Sequence, residues 1–517
     1  MADASCACAA LPLWRPACLP APSRPRVSRE VGRSRALIPA LVPAWLPGPC
    51  SPLRTTPTAP WAPAWLPRPA ALPAHAHAPS PGRLPLVRGA VSASEAPAEA
   101  RPPARAAPTT KRVLVIGGTG RVGGSTAAAL ARRTVQVGEE EQALAVVVAG
   151  RSRERAQRVL TSVPQAQFLE CNITDKASVL AAVQGADVVV HTAGPFQRAT
   201  AHPWAMNVLE ACIETKTAYV DVCDDCSYAL RAKGYHDAAR QAGVAAITTG
   251  GIYPGVSNLM AAELVREAGR GTAKGDAGGE RTPERIRFSY FTAGSGGAGP
   301  VILQTSFLLM GEDVVAYRKG EPVRLKPYSG GTTVDFGKGI GKRAVYLLQL
   351  PEVESVHRSL GVPSVSARFG TAPFFWNTAM QLVGLLPRSF LNDRRRVAGL
   401  ASLSEPLVRL VDGRVGEACA MRVDLDCSDG VRAASLYSHK RLSECVGTAT
   451  AAFAQAVLEG ATQPGVWYPE EEGGVAEAAR ARLLERAAEG CIQYVTNKSP
   501  WMIERPPKNL GFGMYIE

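Results

Sequence analysis

No stretch of 18 or more uncharged apolar residues occurs in the 517-residue chain, so no transmembrane helix is expected. Acidic residues are nearly missing from the first 90 positions, which hold ten Arg, no Lys and two acids, Asp3 and Glu30. That segment carries +8 of the net charge of +13 and leaves +5 for residues 91–517. So mild a surplus gives no nucleic-acid footprint, and no nucleic-acid partner is expected. Paired cysteine motifs are scarce too. Four of the twelve Cys (Cys6, Cys8, Cys18, Cys50) fall in the leader, and the close pair beyond it is Cys223-Asp224-Asp225-Cys226. A lone CxxC without a second pair or histidines does not make a zinc site, and no metal is expected. It reads as two reduced thiols in a loop, with a redox pair as the alternative.

What the leader does contain is Pro, Ala, Arg and Ser, with neither helical nor alternating periodicity over residues 20–26 and 59–73. Such a chain cannot bury enough apolar surface to offset its ordering entropy, so residues 1–105 are expected to form a disordered leader. Arg-rich, acid-poor leaders mark organelle transit peptides. The expected location is the chloroplast or another plastid, with the mitochondrion as alternative. A plain tail or an over-extended reading frame would share this composition.

After Thr110 the texture changes. Short apolar runs at 112–116, 144–149, 166–171, 186–191, 218–222 and 244–248 alternate with helical segments at 124–133, 153–160, 177–183, 205–214 and 231–242. Six strands alternating with helices at short spacing predict a doubly wound parallel α/β sheet of the Rossmann type over 108–258. From 283 to 442 the pattern is strand-rich. Strands are expected at 286–292, 313–318, 322–326, 332–336, 344–350, 418–427 and 431–439, with helices at 301–310, 353–360 and within 372–411. These make a second α+β domain with a mostly antiparallel sheet. A helix at 444–458 and a tail to residue 517 complete the organisation. The apolar stretch 372–386 is too short to span a bilayer; it reads as a helix packed on a sheet, with peripheral membrane contact as the alternative.

The run Gly117-Gly118-Thr119-Gly120-Arg121-Val122-Gly123 follows the first predicted strand and opens a predicted helix. Glycines there allow a tight turn, close backbone approach to a pyrophosphate and close helix–sheet packing. The helix start then directs its N–H groups at the phosphates. At the end of the second predicted strand stands Gly150-Arg151-Ser152-Arg153, without the acid that an NAD ribose needs. Arg151, Ser152 and Arg153 suit a 2′-phosphate, so the expected cofactor is NADP(H). The 28 positions from Gly123 to Arg151 exceed the usual spacing of about 20, and Glu139-Glu140-Glu141 marks an insertion that accounts for it. Ala193, Gly194 and Pro195, after the fourth strand, suit the ribose or nicotinamide. Asp175, after the third, suits the adenine side or a helix cap.

These residues resemble the saccharopine dehydrogenase-like NADP-binding family, particularly its plastid-type members of unassigned substrate. The resemblance rests on 113–124 and on three further motifs. They are Val190-His191-Thr192-Ala193-Gly194-Pro195-Phe196, Tyr219-Val220-Asp221-Val222-Cys223-Asp224-Asp225, and Gly250-Gly251-Ile252-Tyr253-Pro254-Gly255-Val256-Ser257-Asn258. It implies a substrate domain inserted into the Rossmann domain, with the late helix returning to the first. It also implies hydride transfer at a carbon–nitrogen bond of an amino-acid-derived small molecule.

Candidate catalytic residues are Asp221, Tyr253 and His191 at the strand carboxyl ends, where substrate must be held and a proton moved. Each has a plainer reading, as a loop-fixing aspartate, a packing tyrosine and a core histidine. Pro254, Gly255, Asn258 and Ser295 are candidate substrate contacts, Ser295 because Gly294–Gly299 makes a second glycine-rich helix start. Tyr228 is followed four positions later by Ala232, so the Tyr-x-x-x-Lys pair of short-chain dehydrogenases is absent there. The leading expectation is an NADP(H)-dependent oxidoreductase. The alternative is a non-catalytic NADPH-binding redox sensor or membrane-surface scaffold. A homodimer is compatible with either.

Overall fold

The computed structural model describes residues 110–270, 281–293, 300–504, 508–511 and 514–516. The expected leader (1–105) and Ser295 lie outside the described residues. Strands β1 (Thr110–Ile116), β2 (Thr134–Val137), β3 (Glu140–Gly150), β4 (Gln167–Glu170), β5 (Val188–His191), β6 (Ala218–Asp221) and β7 (Ala245–Ile247) enter one sheet. Helices α1 (Arg121–Leu130), α2 (Arg153–Ser162), α3 (Lys176–Val183), α4 (Asn207–Glu214), α5 (Cys226–Lys233) and α6 (His236–Ala242) connect them. Setting β2 aside, the strand order is β4-β3-β1-β5-β6-β7, all parallel. The chain winds outward from β1, then returns to β5 on its other side. That reversal creates a crevice at the carboxyl ends of β1 and β5, where ligands bind in doubly wound sheets.

The strands are nearly continuous valine runs because helices cover both faces. Val113, Val115, Val148 and Val190 point to one side, Leu114, Ile116, Val147 and Val189 to the other, and all are buried. Each such side chain contributes about 1.5–3 kcal/mol. The segment expected as one helix over 231–242 is two, α5 and α6, separated at Gly234-Tyr235. The triple-glutamate insertion is a hairpin: β2 pairs antiparallel with the first half of β3, turning at Gly138 (φ 63°). This hairpin accounts for the long interval before Arg151.

After α7 (Val256–Arg270) comes a nine-stranded mixed sheet. Its strands are β8 (Pro283–Ala293), β9 (Val314–Arg318), β10 (Glu321–Leu325), β11 (Thr332–Asp335), β12 (Lys342–Leu347), β13 (Ser364–Ala372), β14 (Ala418–Cys427) and β15 (Arg432–His439), with a ninth near the C-terminus. Helices α8 (Pro300–Leu309), α9 (Pro351–Leu360), α10 (Phe374–Val383), α11 (Arg388–Leu391) and α12 (Arg394–Val415) lie among them. The sheet is mostly antiparallel, but β13 runs parallel to β8 at its centre. No strand is expected at 364–372 from the sequence. Val365, Ala367 and Phe369 do alternate there, but serines and glycine thin the apolar signal.

Beyond β15 follow α13 (Leu442–Leu458), β16 (Gly465–Trp467), α14 (Glu477–Ala487), β17 (Gln493–Lys498) and α15 (Pro500–Ile503). β16 adds a parallel edge strand beside β7, and β17 pairs with β15. α13 lies directly on α1: a Cβ at Gly447 would stand 2.6 Å from Ser125. Arg133, at the end of α1, donates to Gln455 on α13 (2.9 Å) and to Glu489 (2.7 Å). α7 buries Leu259, Met260 and Leu264 in the core that both sheets share. The second sheet is therefore held against the first by shared apolar packing.

Candidate functional site

The crevice is built from four loops at the strand carboxyl ends. The first is the glycine run. Gly117 has φ 81°, and its N–H donates to Ala149 O (3.0 Å). A Cβ there would lie 2.7 Å from Ala193 N, and one at Gly123 only 2.5 Å from both Gly117 O and Thr192 Oγ1. Gly120 is exposed, and a Cβ on it would meet only Gly117 O, at 3.2 Å. Gly117 and Gly123 thus let the loop seat against Thr192-Ala193, and Gly120 keeps the outer face bare. α1 makes its first helical hydrogen bond from Gly124 N–H to Gly120 O (2.8 Å), and the N–H groups of Arg121, Val122 and Gly123 precede it. This is the shape and polarity a pyrophosphate requires.

The tip of β3 continues the site. Thr119 lies against Gly150, and Arg151 and Arg153 are exposed. The Ser152 hydroxyl accepts from Arg155 N–H (3.2 Å) as the N-cap of α2. Asp175 is likewise engaged as a cap, accepting from Ala177 N–H (3.0 Å) at the start of α3. Thr192 and Ala193 border the glycine run, with Thr192 Oγ1 donating to Ile116 O (2.9 Å), and Gly194 and Pro195 follow them in the same loop.

Asp221 ends β6 and is fully buried. Its Oδ1 accepts from Cys223 N–H (2.9 Å), Thr249 N–H (2.8 Å) and Thr248 Oγ1 (3.2 Å), and its Oδ2 from Tyr219 Oη (3.0 Å). Burial pushes its carboxyl up to about 6 against these favourable bonds. Thr249 sits at φ 64°, a costly conformation for a β-branched residue, and Asp221 holds its N–H. His191 Nδ1 lies 3.2 Å from Tyr219 Oη and 3.4 Å from Tyr228 Oη, and its Nε2 has no partner among the described residues. Burial lowers the imidazole to about 4, so it is neutral at physiological pH. Asp221 and His191 are therefore joined through Tyr219 in one buried network beneath the crevice.

The fourth loop opens α7. Gly255 has φ 131°, and a Cβ there would collide with Gly251 O at 2.2 Å. Asn258 Oδ1 accepts from Gly255 N–H (3.0 Å), and its Nδ2 donates to Ser355 on α9 (3.1 Å). Pro254 is buried, and Tyr253 stacks on Tyr290 with centroids 4.7 Å apart. Tyr253 Oη shares a hydrogen bond with Thr292 Oγ1 on β8 (3.0 Å). The structure thus brings the glycine run, the 192–195 loop, Asp221 and Tyr253 to one sheet edge.

Residues from the second half close over that edge, and none is among the sequence candidates. Arg394 at the start of α12 donates to Pro195 O (3.2 Å), Thr305 on α8 donates to Gln197 (3.1 Å), and Arg198 pairs with Glu312 (3.4 Å). Glu312 is raised to about 7, first by burial and then by the charge of Asp225. Asp224 is raised to about 6, again chiefly by burial. Asp224 stands within the Tyr219–Asp225 motif, and Gln197 and Arg198 directly follow the Val190–Phe196 motif, whereas Thr305, Glu312 and Arg394 carry no local signal. Cys223 and Cys226 do not face each other: Cys223 Sγ accepts from Asp225 N–H (3.3 Å), while Cys226 Sγ accepts from Gln349 (3.2 Å). Both are free thiols.

Residues 113–247 match the family model of the saccharopine dehydrogenase NADP binding domain. Over those residues the chain is similar to a saccharopine dehydrogenase NADP binding domain. Curated relatives are saccharopine dehydrogenase-like oxidoreductases of Mus musculus (30% identical over 151 residues) and Rattus norvegicus (29%). Each alignment covers 27% of this chain and 34% of the relative, so the match spans about a third of those proteins. Among solved structures, the fold resembles the apo form of Saccharomyces cerevisiae saccharopine dehydrogenase (L-Glu forming), with TM-score 0.51 and 14% identity. That likeness covers 75% of this chain and 99% of the yeast enzyme. That match and the bare cradle at Gly117–Gly123 make the crevice the candidate site for a nicotinamide dinucleotide.

Proposed function

We propose that the chain is an NADP(H)-dependent oxidoreductase that transfers hydride at an imine or secondary-amine carbon of an amino-acid-derived substrate. The observation that carries this reading is the glycine cradle with Arg151 and Arg153 exposed at the strand tip beside it. When bound, the cofactor supplies or accepts the hydride. Gly117–Gly123 and the start of α1 would hold its pyrophosphate, and Arg151 and Arg153 its 2′-phosphate. Ala193, Gly194 and Pro195 would border the nicotinamide side. Tyr253 and Asp224 line the same edge and supply protonatable groups, while Asp221 fixes the loops that present them. Arg394 and the Arg198–Glu312 pair shield that edge from water.

Fluorescence titration with NADPH and NADH tests the cofactor assignment. NADPH should bind tighter. Arg151→Ala combined with Arg153→Ala should weaken NADPH about tenfold or more and leave NADH unchanged, the size expected for lost charge-assisted hydrogen bonds. Equal affinities in the unaltered protein would sink the NADP(H) reading.

The proposal extends to peripheral contact with a membrane through α10–α12; no described helix is long and apolar enough to cross one. α12 buries Val397 and Ala401 against α8, yet Leu403, Leu407 and Leu410 form a second apolar stripe, 58–80% exposed. Phe374, Leu382 and Leu385, on and just after α10, are also exposed, at 62–82%. Arg388, Arg395, Arg396, Arg409 and Arg414 are exposed along this segment, and three of them pair with Asp313, Asp393 and Glu405, so an anionic lipid surface complements the remaining charge. The full chain should co-float with vesicles containing phosphatidylglycerol. Leu385→Glu with Leu407→Glu should cut that binding at least tenfold while NADPH affinity stays constant. A dimer in solution that these substitutions dissociate, without vesicle binding, would instead assign the apolar stripe to a second copy. A plastid destination belongs to the same proposal, and import of the full chain into isolated chloroplasts tests it.

A further inference from the structure

The second sheet has a face that the dinucleotide crevice does not use. One side packs on α7 and α9 through Ile286, Phe288, Tyr290, Val365 and Val423. Because side chains alternate, Arg285, Arg287 and Ser289 on β8 point the other way. Register places charged neighbours beside them in rows. Arg368 on β13 and Arg422 on β14 both pair with Ser289, Ser366 and Asp424 flank Arg287, and Ser364 and Asp426 flank Arg285. Arg432 on β15 continues the last row opposite Asp426.

This face is the floor of a groove of about 1340 Å3. The β11–β12 hairpin and the start of α15 contribute to its lining, as do Val323, Leu325 and Leu347. Eight Lys or Arg line it against four Asp or Glu.

The pairing inside the groove leaves positive charge over. Arg422 takes Asp424 (2.8 Å) and Glu504 (3.1 Å). Asp426 alone faces three guanidiniums: Arg287 at 2.9 Å, Arg285 at 3.8 Å and Arg432 at 4.0 Å. Arg368 has no carboxylate partner among the described residues. Its Nε donates to Gly330 O (3.2 Å) and its Nη1 to Ser366 Oγ (3.2 Å), which fix the guanidinium in place. Its pKa is lowered, by burial and then by the neighbouring charge of Arg287. A half-buried, oriented guanidinium without an acid, one row from another that shares its acid, is a costly arrangement. An oxyanion between them would relieve it.

We propose that this groove is a second ligand site, separate from the dinucleotide crevice, for a small organic oxyanion whose phosphate or carboxylate is held by Arg368 and Arg287. Ser289 and Ser366 add hydroxyls to the same rows, and Val323, Leu325 and Leu347 offer apolar surface to the body of the ligand. Guanidiniums on adjacent strands present a fork to a planar or tetrahedral anion, whereas a cation would meet the surplus of arginines. The site lies on the opposite side of the sheet from α7, so occupancy should not compete with the cofactor.

The test uses the full chain saturated with NADPH, which keeps the probes out of the cofactor's own phosphate site. Inorganic phosphate and glutarate are titrated separately by calorimetry, and the two arms distinguish the phosphate from the carboxylate form. At least one should bind saturably, and Arg368→Gln should weaken it about tenfold or more without changing NADPH affinity. Arg368→Lys, which keeps the charge and loses the fork, should fall between. If Arg368→Gln fails to fold, Arg432→Gln on its exposed side chain should still weaken the probe about threefold. Absence of saturable binding by both probes, or unchanged binding in the variant that folds, would overturn the proposal.

Discussion

Gly123→Ala is expected to abolish dinucleotide binding, lowering NADPH affinity at least a hundredfold in a fluorescence titration. The added methyl would stand 2.5 Å from Gly117 O and Thr192 Oγ1 and 2.7 Å from Gly118 Cα. Two of those three atoms are backbone, pinned by the Gly118 N–H to Ala149 O bond (3.2 Å) and by the Gly120 N–H to Gly117 O bond (2.9 Å). The loop must move outward, into the volume the pyrophosphate needs. Overpacking of this kind costs about 1–3 kcal/mol of stability as well, so the melting temperature should fall modestly while the protein stays folded. Gly120→Ala makes the informative contrast. Its Cβ meets only Gly117 O at 3.2 Å, so stability should scarcely change, yet the methyl points into the ligand's approach and affinity should still drop. Wild-type affinity in both variants would remove the glycine run as the cofactor cradle.

The first sheet was legible because its strands are short valine runs closed by glycine or polar residues, a signal made by burial on both faces. The glycine run was legible for a related reason, since a backbone that must approach phosphate tolerates few other residues. Legibility failed where long-range contact decides the outcome. β13 alternates Val365, Ala367 and Phe369 among serines and glycine, and its place beside β8 is set by partners some 80 positions away. β16 is three residues long and is a strand only because β7 leaves an edge open. The lid over the crevice was invisible for the same reason: Arg394 meets Pro195 across 199 positions, and no local pattern encodes that pair. The sequence leaves Asp175 open between an adenine contact and a helix cap; its carboxylate caps α3, and the Ser152 hydroxyl caps α2. Within the stretch 372–386, α10 packs by one face, as Met380 and Val383 show, while Phe374 and Leu382 project outward.

Asp221→Ala is expected to lower the unfolding free energy by about 3–5 kcal/mol, measured by urea denaturation at pH 7, whereas Asp221→Asn should lose far less. The alanine leaves Cys223 N–H, Thr249 N–H and the hydroxyls of Thr248 and Tyr219 without their common acceptor, and each buried orphan costs about 1–3 kcal/mol. Thr249 at φ 64° then loses the bond that holds it, and the path from β7 into the α7 loop relaxes. Asparagine keeps the Oδ1 that serves three of the four donors, and its amide can donate to Tyr219 in place of the fourth bond. The pH dependence separates charge from geometry. Burial raises the folded carboxyl to about 6, against about 3.9 in an unfolded chain, so between these values the folded state binds more protons than the unfolded. Stability contributed by this group therefore falls as pH rises from about 4 to about 6, by about 3 kcal/mol in all. Asp221→Asn cannot titrate, so its stability relative to the unaltered protein should improve across that window. Asp224, Glu312 and Glu352, also raised by burial, titrate in both proteins and cancel in the difference. A flat difference from pH 4 to 6 would mean that Asp221 is not buried as a charge. A large loss in Asp221→Asn at pH 7 would mean that the negative charge itself holds the loops. With the expected result, Asp221 is the carboxylate that sets the shape of the crevice.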